Sequence, residues 1–252
     1  MIELNNLTKL YRGFRAVDNL NLRVGKGIVF GFLGPNGAGK TTTIKMMAGV
    51  LKPTAGQVVI DGIDIARDPS EAKRRVGFVP DQPFVYEKLT GLEFLQFVGG
   101  LYGLNKSQSL NGNITELLDL FELSHWSDEL IESFSHGMKQ RLVMCAALLH
   151  DPEVIVVDEP MVGLDPKGAR LVKDIFRKQA QKGKTIFMST HSLEVAQEVC
   201  QEIAIIQAGK IIATGTAEDL KRQAGVDGNL ENIFLKLTEG GTIAHEKSLS
   251  SS

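Results

Sequence analysis

Residues 28–42 read IVFGFLGPNGAGKTT, an apolar run that passes directly into a glycine-rich turn. The run Ile28 to Leu33 predicts a short buried strand. Glycines follow at 34, 37 and 39, and Lys40 and Thr41 then open an apolar helical stretch. Such glycines let the backbone fold round an anion and aim its N–H groups inward, and the positive end of the helix adds to the attraction. This strand–turn–helix pattern is that of the P-loop.

Each part of a P-loop has a role toward a nucleoside triphosphate. Lys40 would reach the β- and γ-phosphates and assist catalysis, and the Thr41 hydroxyl would take a place on Mg²⁺. The glycines alone would also fit a tight turn, but Lys40 and Thr41 after a strand favour phosphate binding. The residues expected at the nucleotide are Asn36, Gly37, Ala38, Gly39, Lys40, Thr41 and Thr42.

A second apolar run, Val154 to Val157, predicts a central strand buried on both faces. It delivers Asp158 and Glu159 to the carboxyl end of the strand, where ligands collect in open parallel sheets. Asp158 would hold Mg²⁺, directly or through water, and Glu159 would polarise the water that attacks the γ-phosphate. A strand-ending turn before Pro160 is the alternative, but the P-loop upstream favours catalysis.

Short apolar runs alternate with helical stretches, which predicts an α/β protein with a mainly parallel sheet flanked by helices. Helical spacing replaces the strand signal in the middle of the chain, so we expect a helical subdomain at about 84–150, inserted into the core. Within it, the polar segment 104–113 predicts a loop. The tail 241–252 is small and polar and predicts disorder, which leaves 1–240 as a single domain. Further strands are expected at 58–60, 185–189, 203–206 and 211–213.

The bulk composition excludes several classes of protein. With 28 basic and 30 acidic residues, no net field draws the chain to nucleic acid or anionic lipid. No apolar run approaches the roughly 20 residues that cross a bilayer, and the N-terminus lacks a signal-peptide pattern. We therefore expect the chain to stay in the cytosol. Cys145 and Cys200 are expected to be free buried thiols.

Residues 133–141 read SFSHGMKQR, which resembles the signature segment of the ABC ATPase family, whose usual form is Leu-Ser-Gly-Gly-Gln. Two further family features follow in order, Gly163-Leu164-Asp165 after the carboxylate pair and His191 after the strand at 185–189. The resemblance extends over about residues 2–237 and is to ABC transporter ATP-binding subunits. It implies a P-loop NTPase core with a small N-terminal antiparallel β subdomain and an inserted helical subdomain.

The signature segment precedes a long helical run, so Ser135 and the Gly137 amide are expected at a helix N-terminus, which favours anions. A plain capping serine is the alternative. The resemblance implies that this helix end contacts the γ-phosphate of ATP held by a second copy of the chain. It also implies that His191 contacts the γ-phosphate, that Asp165 reports across the dimer interface and that Tyr11 stacks on adenine.

This chain departs from the family pattern at two places. His136 replaces the first signature glycine and Met138 the glutamine, and His136 would add a pH-sensitive charge near the phosphate. The family usually has glutamine after the proline of Val76-Gly77-Phe78-Val79-Pro80. Here Asp81 comes first and Gln82 second, so both stay candidates for sensing Mg²⁺ and the attacking water.

The resemblance implies polytopic membrane permease subunits as partners, with a short helix of theirs in a groove beside the helical subdomain. Phe84 and Tyr86 are expected to dock there, whereas Phe94 and Phe97 are expected to form the subdomain's own core. Residues 215–220 and 230–238 resemble the closing segments of bacterial exporters of the ABC-2 type. This implies ATP-driven export by a peripheral subunit at the cytoplasmic face of the bacterial cell membrane.

Two alternatives belong to other classes of function. An ABC-type ATPase acting on nucleic acid would carry long coiled coils or a second ATPase domain, and no basic stripe stands out here, so no nucleic acid partner is expected. A regulator that binds ATP without turnover is disfavoured by the presence of Glu159 and His191.

Overall fold

The computed structural model describes residues 1–104, 109–225 and 230–238. The strands are β1 (Ile2–Tyr11), β2 (Phe14–Val24), β3 (Val29–Leu33), β4 (Ala55–Ile60), β5 (Ile63–Asp64), β6 (Val76–Val79), β7 (Val154–Asp158), β8 (Thr185–Thr190), β9 (Glu202–Gln207) and β10 (Lys210–Gly215). The helices are α1 (Lys40–Met47), α2 (Pro69–Arg74), α3 (Gly91–Leu101), α4 (Leu110–Leu120), α5 (His136–Leu148), α6 (Pro166–Gln181), α7 (Leu193–Val199) and α8 (Ala217–Ala224). Residues 230–238 are also helical.

The N-terminal part of the chain forms a four-stranded antiparallel sheet in the order β2-β1-β4-β5. Apolar side chains alternate with polar ones along the start of β1, so that Ile2 and Leu4 are buried and Glu3 faces outward. The buried face shares one apolar cluster with α1, through residues such as Ile44 and Met47. The expected antiparallel subdomain is confirmed, and it packs directly against the helix that follows the P-loop.

The second sheet has six strands in the order β10-β9-β3-β8-β7-β6. All its neighbours are parallel except β9 and β10, which confirms the mainly parallel sheet. Strands β3 and β7 are buried along their whole length. One face carries the stacked rings of Phe30 and Phe187, with centroids 5.5 Å apart. The other face carries Ile155, Val157 and Met188, which belong to a cluster shared with the helices.

Helices α3, α4 and α5 lie between β6 and β7 in the chain and pack into one apolar cluster. The prediction of a loop over 104–113 is wrong at its end, because α4 begins at Leu110. The apolar spacing Leu110, Ile114, Leu118 outweighs Gly112. Phe94 is buried as predicted, but Phe97 is 43% exposed, contrary to the prediction that both belong to the core.

Both cysteines are free, with Cys145 buried and Cys200 partly buried. Burial raises the pKa of both thiols, that of Cys200 to about 12. No helix in the described ranges is both long enough and apolar enough to span a bilayer. The predicted disordered tail, 241–252, lies outside the described residues, as does 105–108 of the predicted loop.

Candidate nucleotide-binding site

Four neighbouring parallel strands of the larger sheet end at the same edge, and each is followed by a predicted site residue. Strand β3 leads into the P-loop, β8 into His191, β7 into Glu159 and β6, after Pro80, into Asp81. The registers pair the strand ends in turn. The parallel sheet therefore gathers residues that are more than a hundred positions apart in the chain.

The P-loop backbone needs glycine where other parts of the chain approach it closely. A β-carbon on Gly34 would lie 2.3 Å from the carbonyl oxygen of Ile206, and one on Gly39 would lie 2.5 Å from that of Ala16. Gly39 also has a φ of +107°, in the left-handed region that favours glycine. Strands β9 and β2 thus press on the loop from two directions and fix its shape.

The Lys40 side chain is buried at the base of this loop. Its ammonium donates to the carbonyl oxygens of Gly34, at 2.7 Å, and Pro35, at 3.2 Å. Burial lowers the pKa of Lys40, and the carboxylates of Glu159 and Asp158 oppose that shift. The lysine is therefore a poorly hydrated cation that points into the loop, as phosphate binding requires.

A cavity of about 480 Å³ opens on the P-loop. Its lining brings together most of the predicted site residues, namely Tyr11, Asn36, Gly37, Ala38, Gly39, Lys40, Thr41, Thr42, Asp81, Glu159 and His191. Asp81 belongs to this lining, whereas Gln82 is exposed and does not line the cavity. The lining also contains Phe14 and Ala16, which sequence reasoning missed.

Phe14 is opposite Tyr11 across the tight turn that joins β1 to β2. Phe14 is 66% exposed and Tyr11 is 45% exposed, and both residues line the cavity. The Lys9 ammonium lies 5.3 Å from the centre of the Tyr11 ring. Two aromatic residues, rather than Tyr11 alone, are therefore available to stack on a nucleobase. The sequence signal for Phe14 was its place directly after the turn Arg12-Gly13.

The end of β7 holds Asp158 and Glu159 in different surroundings. Asp158 is buried and accepts a hydrogen bond from the Ser189 hydroxyl, on the neighbouring strand β8. Glu159 has a φ of +50°, uncommon for a residue other than glycine. Its amide donates to the Ser189 carbonyl oxygen at 3.2 Å, and its carboxylate lies 2.9 Å from Nδ1 of His191. Ser189 is a further residue that sequence reasoning missed.

The oxygen donors near the P-loop fit Mg²⁺ by their chemistry. Thr41 and Asp81 line the cavity, and the buried carboxylate of Asp158 directly precedes Glu159. Among residues 1–104, 109–225 and 230–238 there is no cluster of three His, Cys, Asp or Glu side chains for a metal. Mg²⁺ is ordinarily held by one or two protein oxygens together with nucleotide phosphates and water, so this sparse set suits it.

The remaining predicted residues, Ser135, Gly137 and Asp165, lie outside the lining of this cavity. Ser135 caps α5, because its hydroxyl accepts a hydrogen bond from the Met138 amide at 3.3 Å. Asp165 caps α6 in the same way, with the Gly168 amide at 2.9 Å. Both helices begin with a capped N-terminus, and Ser135 itself is exposed. These residues form a second group that does not face the P-loop cavity of its own chain.

A P-loop at a parallel sheet edge, with a strand-end aspartate and glutamate beside it, defines a P-loop nucleoside-triphosphate-binding protein. Residues 17–162 match the family model described as ABC transporter. The chain therefore belongs to the ABC transporter family, and the relatives that it matches are ATP-binding proteins of that family. The predicted family and the predicted fold are both confirmed.

Similar proteins and structures agree with this membership. The chain is 36% identical to the probable multidrug ABC transporter ATP-binding protein YbhF of Escherichia coli, over 94% of this chain and 41% of that protein. It is 39% identical to the daunorubicin/doxorubicin resistance ATP-binding protein DrrA of Streptomyces peucetius, over 89% of this chain and 68% of DrrA. It is 38% identical to the bacitracin transport ATP-binding protein BcrA of Bacillus licheniformis, over 88% of this chain and 72% of BcrA. The chain thus spans less than half the length of YbhF.

Two solved structures are similar over most of the chain. A structure of the ATP-binding subunit of an ABC transporter has a TM-score of 0.89 and 32% identity, over 94% of this chain and 99% of that one. The ATP-binding cassette MJ0796 was solved as a dimer in a post-hydrolysis state with ADP and Pi. It has a TM-score of 0.78 and 28% identity, over 86% of this chain and 98% of that one.

Proposed function

We propose that this chain is the ATP-hydrolysing subunit of a bacterial exporter, working as a homodimer on the cytoplasmic face of polytopic membrane subunits. The observation that carries the proposal is the Glu159–His191 pair at the P-loop cavity, with Nδ1 and Oε1 2.9 Å apart. A protein that only held ATP would not need a carboxylate and an imidazole placed together at the phosphate end of its site.

ATP binding follows from the two ends of the cavity. The amides of the P-loop and the Lys40 ammonium face the phosphates, and the positive end of α1 adds to the attraction. At the other end, Tyr11 and Phe14 offer ring faces to adenine. The base stacks on two rings, and the triphosphate extends toward Glu159.

Hydrolysis requires a water molecule held beside the γ-phosphate. The Glu159 carboxylate accepts a hydrogen bond from that water and draws off proton density as the water attacks. His191 keeps Glu159 in place through the contact between Nδ1 and Oε1, and because His191 lines the same cavity, its other ring nitrogen would be free to contact the γ-phosphate. Thr41 and Asp158, with Asp81 nearby, would hold Mg²⁺, which supplies neutralisation of the phosphate charge.

The homodimer explains the residues outside the cavity. Ser135 and the Gly137 amide lie at a capped helix N-terminus, and Asp165 lies at another, yet neither end faces the nucleotide of its own chain. Such ends attract anions. A second copy would bring each signature segment to the opposite P-loop, and dimerisation itself is supported by the dimeric MJ0796 cassette with ADP and Pi.

Docking on membrane subunits is supported by a shallow apolar groove. A cavity of about 320 Å³ lies between the sheet and the helices α3 and α5, lined by Val50, Phe78, Val98, Tyr102 and Val143 among others. Val50 is 65% exposed, and Phe84, which follows Asp81 closely, is 80% exposed. Exposed apolar side chains of this size are typical of contact surfaces.

The proposal that transport is export is supported by relatives named for drug resistance or antibiotic transport, DrrA and BcrA.

To test the proposed function, the chain is expressed together with its membrane subunits, the membranes are solubilised in mild detergent, and the chain is captured with whatever is bound to it. Phe84→Ser should reduce recovery of a polytopic membrane protein and leave the ATPase activity of the isolated chain unchanged. Trp126→Ser, at another exposed ring, serves as the matched control. Strong ATPase stimulation by DNA or RNA, without a membrane partner, would refute the proposal.

A further inference from the structure

His136 of the signature segment lies against the loop that joins Glu159 to Asp165. A β-carbon built on Gly163 would lie 2.1 Å from Cδ2 and 2.8 Å from Nε2 of His136. A β-carbon cannot lie so close to these ring atoms. The imidazole of His136 therefore occupies the space that a side chain at position 163 would need. Gly163 also has a φ of +77°, which only glycine adopts without strain.

The neighbouring signature residue contacts the same turn through its backbone. A β-carbon on Gly137 would lie 3.1 Å from the carbonyl oxygen of Gly163 and 3.5 Å from Cδ2 of Leu164. The start of α5 therefore meets the turn twice, once with the ring of His136 and once with the main chain of Gly137. The resulting surface leaves room for nothing larger than glycine at 163.

This turn is the only covalent path between the catalytic carboxylate and the start of α6. Two backbone bonds shape it, from the Val162 amide to the Glu159 carbonyl oxygen at 3.2 Å and from the Leu164 amide to that of Met161 at 3.3 Å. Asp165 then caps α6. Neither of these bonds involves Gly163, so the ring of His136 supplies a restraint at the middle of the loop that the loop itself lacks.

We propose that His136 is a positioning residue, which couples the signature segment of a chain to Glu159 and Asp165 of the same chain. The inference rests on the proposed function, in which the signature segment contacts ATP in the second copy. Closure on that ATP moves α5, and the imidazole transmits the movement to the loop that follows Glu159. The usual family signature has glycine where His136 lies and no side chain for this task, so the coupling is a property of this chain's own sequence.

The first experiment compares His136→Gly with His136→Phe, which keeps a planar ring of similar breadth. ATP hydrolysis is measured against ATP concentration in the complex with the membrane subunits. His136→Gly should lower kcat roughly ten-fold and reduce the Hill coefficient toward one, with KM little changed. His136→Phe should retain most of kcat and of the cooperativity. Full activity and cooperativity in His136→Gly, or loss of both in His136→Phe, would overturn the assignment of a packing role.

The second experiment is a double-mutant cycle between the two contacting residues. Gly163→Ala adds a β-carbon that collides with His136 and strains the backbone, and in the His136→Gly background only the strain remains. Gly163→Ala should therefore lower kcat much more in the wild-type background than in the His136→Gly background. Gly183→Ala is the control for strain, because Gly183 has a φ of +89° and open space around its α-carbon.

Additive losses in the cycle would overturn this inference alone, provided that the Glu159→Gln chain still forms an ATP-dependent dimer. If that trapped dimer does not form, the homodimer is wrong and this inference fails with it. The two failures are therefore distinguishable by size-exclusion chromatography of the Glu159→Gln chain with ATP.

Discussion

The Nδ1 atom of His191 lies 2.9 Å from Oε1 of Glu159, although 32 positions separate them in the chain. Each residue directly follows a strand, and β7 and β8 are parallel neighbours whose ends are in register at Asp158 and Ser189. Sheet geometry thus sets the distance, since adjacent strands lie about 4.8 Å apart. The pair is preorganised by the fold and needs no movement to form.

Glu159→Gln should nearly abolish ATP hydrolysis and leave ATP binding intact. The amide matches the carboxylate in shape but accepts a proton poorly, so the chemical step should slow by about 10²-fold or more. The stalled chain should form a dimer with ATP and remain a monomer without it, measured by size-exclusion chromatography with light scattering. Glu194→Gln, at an exposed position on α7, is the control. Normal turnover in Glu159→Gln would refute the role assigned to this residue.

His191→Ala tests whether the imidazole acts through Glu159 or independently of it. If the ring orients Glu159, its removal should lower kcat by about 10- to 100-fold, and the double variant with Glu159→Gln should be no slower than Glu159→Gln alone. Single-turnover hydrolysis of radiolabelled ATP gives the required sensitivity. Multiplying losses in the double variant would show that the two residues act separately.

Tyr11→Ala together with Phe14→Ala should weaken ATP binding and spare the chemical step. Stacking on aromatic rings contributes about 1–3 kcal/mol per base, so the double variant should lose roughly that much binding free energy. The single Phe14→Ala change should account for a measurable part of the loss. Titration with a fluorescent ATP analogue measures the effect. Leu10→Ala is the matched control, since Leu10 is the exposed neighbour of Tyr11 and does not line the cavity.

The sequence predicted those parts of the site that depend on local pattern. The P-loop, Asp158 and Glu159 are each encoded within a few residues of a recognisable strand. Phe14 and Ser189 were missed because their roles depend on pairing, of Phe14 with Tyr11 and of Ser189 with Asp158, and single strands carry no register. Whether Asp81 or Gln82 faces the cavity likewise depends on the backbone path after β6, which residue types do not specify.

Gln140 offers a test of stability within the helical layer. It lies on α5, is fully buried, and neither amide atom has a hydrogen-bond partner in the described part of the chain. An unpaired buried amide costs about 1–3 kcal/mol. Gln140→Met keeps the length of the side chain and removes that cost, so the free energy of unfolding should rise by about 1 kcal/mol in urea titrations. A clear fall in stability would mean that the amide is paired in solution.

His150 predicts how stability depends on pH. Its ring stacks on Tyr102, with centroids 3.8 Å apart, and Nε2 lies 3.1 Å from the carbonyl oxygen of Val76. Nδ1 has no partner among the described residues. Burial lowers the pKa of His150, and the Val76 carbonyl and Asp151 only partly oppose that shift. The folded chain therefore holds the neutral imidazole more firmly than the unfolded chain, whose histidine titrates near 6.5.

Because the unfolded chain binds the proton more tightly, acid favours unfolding. The contribution of neutral His150 to the free energy of unfolding is fully present above about pH 6.5. It is lost as the pH falls through the lower pKa of the folded chain. His150→Phe keeps a ring against Tyr102 but does not titrate, so its free energy of unfolding should fall less between pH 7.5 and 5.5 than that of the wild type. The variant also loses the bond to Val76, which lowers stability equally at both pH values and leaves the difference unaffected. His125→Phe, which makes the same change on the short helix Ser124–Trp126, is the matched control for replacing a histidine by an aromatic ring. An identical fall in wild type and His150→Phe would mean that His150 is not the group whose protonation destabilises the fold.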